Sequence, residues 1–153
     1  MSTDQIDWAQ FQQIAPAVVT TLRTLTKVIA ESGLEPSLTE LLKVRASQLN
    51  GCAFCLGLHV DFARKAGVAQ KALDLVATWR EAGIFTAREK AALAWTEALT
   101  LMAQHHVAEE LYGQLCEQFS TQEIAFLTSA IGLINAWNRI AGGLRFAPPA
   151  AAG

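Results

Sequence analysis

The sequence predicts an all-α, single-domain helical bundle, and three observations carry that prediction. The β-branched residues are scattered, and none sits in an alternating run bounded by turns, so no strand is indicated. Ala, Leu, Gln, Glu and Lys dominate, which favours helix. Ser37-Leu38-Thr39-Glu40, Thr86-Ala87-Arg88-Glu89 and Ser120-Thr121-Gln122-Glu123 have the form of capping boxes. In a capping box a hydroxyl and a carboxylate satisfy each other's free backbone N–H groups at a helix start.

Taken in order, the elements begin with a helical arm over Trp8 to Ala30, broken near Pro16. Helices follow over Ser37 to Asn50, Cys52 to Ala66, Ala69 to Thr78 and Thr86 to Ala103. The last two run from Ala108 to Phe119 and from Thr121 to Ile140. Gly33, Gly67 and Gly83 follow helical stretches and suit the left-handed residue that ends a helix. The organisation is residues 1–33 as the arm, 34–146 as the core domain and 147–153, with Ala147-Pro148-Pro149, as a disordered tail. In the final helix Ile124, Leu127, Ile131, Ile134, Asn138 and Ala141 recur at helical spacing as a core face. The small residues Ala130, Gly132 and Ala136 among them suit close helix approach, in the core or between subunits.

Composition narrows the function classes. The chain has 153 residues, which favours one domain. Apolar residues make up 52% and charged residues 17%, an apolar excess that a subunit interface would bury. The net charge is −2 with no basic run, so neither nucleic acid nor an anionic membrane is indicated as partner. No apolar stretch has the length of a membrane span, and Met1-Ser2-Thr3-Asp4-Gln5 lacks the form of an export signal. A cytoplasmic location follows as the expectation. Three cysteines, Cys52, Cys55 and Cys116, in a reducing compartment point away from a disulfide framework and toward catalysis or metal binding.

The informative segment is Asn50-Gly51-Cys52-Ala53-Phe54-Cys55-Leu56-Gly57-Leu58-His59. At about 100° per residue, Cys55 lies about 60° and His59 about 20° from Cys52 in the same sense, so all three share one helix face. Cysteines three apart on a helix are close enough for a disulfide. Asn50-Gly51 interrupts the preceding helix, which leaves Cys52 in a first turn, where the helix dipole favours a thiolate. His59, one turn from Cys55, is placed to take its proton. Glu40 completes the Ser37 capping box, or is brought back along the Cys52 helix by a tight turn at Gly51. Two other readings stand beside redox chemistry. One is a zinc site, with Cys52, Cys55 and His59 joined by Cys116, His105 or His106. The other is a non-catalytic assembly module. His105-His106 has the look of solvated surface, and Cys116 that of a buried core thiol.

Leu41-Leu42-Lys43-Val44-Arg45-Ala46-Ser47-Gln48-Leu49 leading into Cys52-Ala53-Phe54-Cys55, then His59 and Ala63-Arg64-Lys65-Ala66-Gly67, resembles the core motif of the AhpD-like alkylhydroperoxidases. These are a branch of the carboxymuconolactone decarboxylase superfamily. Arg88-Glu89-Lys90-Ala91-Ala92-Leu93-Ala94-Trp95-Thr96-Glu97 continues the likeness, which covers about Leu38 to Ile140. The resemblance implies an AhpD-like helical bundle assembled as homotrimers or homohexamers. It implies a peroxidase or thiol–disulfide reductase, with Glu40, Cys52, Cys55 and His59 as site residues and an external dithiol as electron donor. It further implies that Cys55, served by a His59–Glu40 relay, attacks a hydroperoxide and that Cys52 then closes the disulfide. No flavin, haem or nicotinamide motif is visible, so no cofactor and no metal are expected. One departure stands out. Phe54 occupies the position where peroxidases of the family carry a second histidine, and it cannot transfer protons. A hydroperoxide and a disulfide both stay open as substrate.

Overall fold

A computed structural model describes residues 5–150. It contains eight α-helices and, among the described residues, no strand. Helix α1 spans Trp8–Ile14 and α2 spans Pro16–Ala30. They are followed by α3 (Pro36–Asn50), α4 (Ala53–Lys65) and the short α5 (Gln70–Leu75) with a 3₁₀ turn over Val76–Thr78. Helices α6 (Ala87–Thr100), α7 (Glu109–Gln118) and α8 (Thr121–Gly143) complete the order.

Local chemistry accounts for most boundaries. The Thr86–Glu89 and Ser120–Glu123 capping boxes both form, with Thr86 Oγ1 accepting from Glu89 N at 3.1 Å and Ser120 Oγ from Glu123 N at 3.2 Å. The arm breaks at Ala15, where Pro16 starts α2. A third box, Asp7 with Gln10, opens α1.

Two expectations are corrected. The Ser37–Glu40 box does not form. Pro36 is the first residue of α3, so Glu35 is held extended (φ −61°, ψ 124°) as the cap position and Ser37 already lies inside the helix. Gly33 and Gly67 take positive φ as expected, but Gly83 does not, because it follows hydrogen-bonded turns rather than an α-helix end.

Helices α3, α6 and α8 supply the fully buried centre, with Leu41, Leu42, Leu93, Leu127 and Ile131 interlocked. Helix α4 packs along α3 and also touches α8. The arm lies on α8, where Ile29 of α2 meets Ala130 and Leu133. No helix among the described residues is long and apolar enough to cross a membrane. Beyond α8, Arg145 takes a left-handed conformation (φ 54°), and Phe146 N bonds back to Ala141 O at 2.9 Å. That turn drives Phe146 inward, and further on Pro149 lies against α4, where a Cβ on Gly57 would stand 3.6 Å from its ring.

Leu127 is completely buried in this centre. Leu127→Ala is expected to lower unfolding free energy by about 2–5 kcal/mol, read from urea denaturation midpoints with unchanged slope.

Candidate active site

The site is built on the corner between α3 and α4. Gly51 ends α3 in the left-handed region (φ 65°, ψ 28°). Its N–H bonds to Gln48 O at 3.2 Å, and the next N–H, from Cys52, bonds to Ser47 O at 3.1 Å. This is a Schellman closure, and it satisfies carbonyls that the helix end would leave free. Cys52 then becomes the cap of α4, with its sulfur accepting the Cys55 N–H at 3.3 Å. Both cysteines are free and buried, at 2% and 3% exposure.

The corner also turns α4 back along α3, and Glu40 meets His59. Glu40 Oε2 lies 2.7 Å from His59 Nδ1, and its Oε1 accepts from Lys43 Nζ at 2.7 Å. Burial pushes the Glu40 carboxyl up, but the His59 hydrogen bond and the Lys43 charge outweigh it, and the net direction is down. Glu40 is therefore an ionised carboxylate at neutral pH, and its role as a capping residue is ruled out by the two partners it holds.

The two sulfurs are not equivalent. The hydrogen bond from the Cys55 thiol is the largest influence on Cys52; burial opposes it, and the Cys55 N–H, the Asn138 amide and the Phe54 N–H reinforce it. The result brings Cys52 down to about 7. Cys55 is pushed up, first because it gives its proton to Cys52 and second by burial. Negative charge is thus favoured on Cys52, at the helix N-terminus, over Cys55.

The sequence reading missed three features. Lys43 is a buried amine among Leu41, Leu42 and Val44, and its lone charge in an apolar run was the available signal. Asn138 was counted only as part of a core face. The third is an aromatic cover. Trp8 and Phe11 of α1, Phe54 of α4 and Phe146 pack in the same cluster as the cysteines. Trp8 stands 5.8 Å from Phe54 and 5.5 Å from Phe146, ring centre to ring centre. The remaining candidates lie elsewhere. Cys116, expected to be buried, is exposed on α7, because Leu115 takes the inward position and the next residue turns about 100° away. His105 and His106 sit in an exposed turn. Among the described residues, no three His, Cys, Asp or Glu side chains converge to hold a metal ion.

The model of the carboxymuconolactone decarboxylase family matches residues 16–98, which include the whole α3–α4 corner. The chain belongs to the carboxymuconolactone decarboxylase family. A family relative, the uncharacterized protein YdfG of Bacillus subtilis, is 35% identical over 130 residues, covering 85% of this chain and 88% of its own. A solved structure from Agrobacterium tumefaciens, a protein of unknown function provisionally described as the antioxidant defence protein AhpD, is 37% identical. It superposes with a TM-score of 0.87 over 91% of this chain and 95% of its own. The debrominase Bmp8 shares the fold at 18% identity, with a TM-score of 0.83 over 93% of this chain and 76% of its own. The AhpD-like resemblance and the all-α fold read from the sequence are both borne out.

Two outcomes follow from this geometry. Glu40→Gln strands the Lys43 ammonium, whose side chain is only 10% exposed. It should cost about 3–5 kcal/mol in denaturant unfolding, with much of that restored in Glu40→Gln/Lys43→Met. In a Cys116→Ser background, iodoacetamide should label Cys52 ahead of Cys55, with a rate that rises through a midpoint near pH 7, as peptide mapping and a pH series will read.

Proposed function

We propose that this family member is a dithiol–disulfide oxidoreductase that reduces hydroperoxides, preferentially organic ones. The observation that carries the reading is the Cys52 sulfur capping α4 through the Cys55 N–H while a carboxylate-oriented histidine lies one turn beyond Cys55. The Cys52 thiolate attacks the outer oxygen of the hydroperoxide. The O–O bond breaks, Cys52 becomes a sulfenic acid, and the alkoxide leaves as an alcohol once it has gained a proton. Cys55 then gives its proton to His59, whose ring Glu40 holds, and attacks the Cys52 sulfur. Hydroxide leaves with that proton as water, and the disulfide closes. An external dithiol restores both thiols. Phe54 contributes no proton transfer, so Glu40 and His59 are the whole relay.

General reduction of protein disulfides is the weaker reading. Both sulfurs lie beneath the cover of Trp8, Phe11, Phe54 and Phe146, which leaves a small apolar molecule better suited than a folded protein. Assembly into homotrimers or homohexamers belongs to the same proposal. Val18, Leu25 and Val28 stand exposed on α2 and form apolar surface that an assembly would cover.

The test is turnover of cumene hydroperoxide with a dithiol donor. Parent protein should turn over and accumulate a Cys52–Cys55 disulfide when the donor is withheld, with Cys116 still reduced. Cys52→Ser should abolish the first step. Cys55→Ser should complete it once and stall as the sulfenic acid, trapped with dimedone. A Cys52→Ser protein that still consumes one equivalent of hydroperoxide would reverse the assigned order, and no turnover with any dithiol would sink the peroxidase reading.

A further inference from the structure

Helix α3 buries an amine. Lys43 stands in the apolar run of Leu41, Leu42 and Val44, and its side chain is only 10% exposed. A lysine stem is long enough to carry its ammonium out to water. This one turns instead to Glu40, one turn back, and Nζ donates to Oε1 at 2.7 Å. The other oxygen of the same carboxylate, Oε2, lies 2.7 Å from His59 Nδ1. The Glu40 and His59 side chains are 14% and 13% exposed, so ammonium, carboxylate and ring form one poorly hydrated array.

The charges of that array decide where its protons sit. With Lys43 in place, ammonium and carboxylate cancel, and a neutral ring leaves the whole array neutral. A proton added to the ring then brings an uncompensated charge, which burial disfavours. Without Lys43 the carboxylate stands alone, and a protonated ring is the group that cancels it. Glu40 also selects the tautomer. A carboxylate only accepts, so it draws the ring hydrogen to Nδ1 and leaves Nε2 with its lone pair.

We propose that Lys43 is a positioning residue of the proton relay: its ammonium, acting through Glu40, keeps the His59 ring neutral, so that Nε2 is free to take the Cys55 proton. The role rests on the dithiol chemistry proposed above. Lys43 itself transfers no proton and touches no reacting atom.

The other charged groups on α4 and on the helices packed against it are engaged elsewhere. On α3, Arg45 holds Glu97. On α4, Asp61 pairs with Arg64, and Lys65 lies over the Phe62 ring, whose edge meets His59 at 5.7 Å between centres. On α8, Glu123 bonds to Arg88 and Arg139 to Asn135. Cys52 and Cys55 complete the titratable groups of the corner.

The measurement is the ring nitrogen resonances of His59 across a pH series, in a His105→Gln/His106→Gln background that leaves one histidine. In the parent near pH 7, Nδ1 should carry the hydrogen and Nε2 none. Lys43→Met keeps the stem and removes the charge. The pH at which Nε2 gains its proton should then rise by roughly one unit, about a tenfold change in the ratio of neutral to charged ring. Glu40→Gln/Lys43→Met removes both charges and should return toward the parent. Where hydroperoxide is turned over, disulfide closure in Lys43→Met should slow several-fold near pH 7 and recover at higher pH. If Lys43→Met does not fold, Lys43→Gln removes the charge while keeping an N–H donor for Glu40; if neither folds, the charge of the parent ring decides. A folded variant whose ring titrates as the parent's does, with only stability lost, would overturn the proposal and leave a structural ion pair. A parent ring already doubly protonated near pH 7 would overturn it as well. A raised midpoint in a protein that turns over no hydroperoxide would leave the effect of Lys43 on His59 standing and remove the peroxidase reading.

Discussion

The site depends on one backbone conformation, the left-handed turn at Gly51. A Cβ there would meet nothing within 4 Å, so space is not what favours glycine. The φ of 65° is, because L side chains adopt it at a cost. Everything nearby follows from that turn. It closes the end of α3 through Ser47 and Gln48, sets Cys52 at the start of α4, and folds α4 back so that Glu40 meets His59. It also holds Ser47 and Asn50 where both reach Asn138.

Two buried carboxylates illustrate how the fold separates structure from chemistry. Glu97 accepts from Trp79, Arg45 and Arg80, at 2.9, 2.8 and 2.5 Å. Its partners are an indole and two guanidiniums, none of which exchanges a proton near neutral pH. Glu97 therefore ties α3 and α6 to the segment that follows the 3₁₀ turn. Glu40 has the same kind of burial and an equally firm cation in Lys43, but its second oxygen is given to an imidazole. One substituted partner turns a structural clamp into a group that orients a titratable ring.

Much of this was legible in the sequence. The helix starts at Thr86 and Ser120 were readable because capping is a local interaction, complete within four residues. That Cys55 and His59 lie one turn apart on a single helix followed from helical spacing, whereas Cys52 stands just outside that helix as its cap. What could not be read locally was the competition at Ser37, where Pro36 sets the start of α3 earlier than the capping pattern would. The partners contributed from a distance were also hidden. Asn138 looks like one more position on an apolar face until α8 is laid beside α3, and Trp8 and Phe146 have no relation to Cys52 along the chain. Cys116 was misjudged for a similar reason: residue type favours burial, but the register of α7, set by Leu115, turns it outward.

The cover over the sulfurs is assembled from residues far apart in order of synthesis. Trp8 and Phe11 come early, Phe54 midway and Phe146 late, and Phe146 reaches its place only through the turn at Arg145 that follows α8. The cluster that buries Cys52 and Cys55 is therefore complete only once residues from both ends of the described chain have come together.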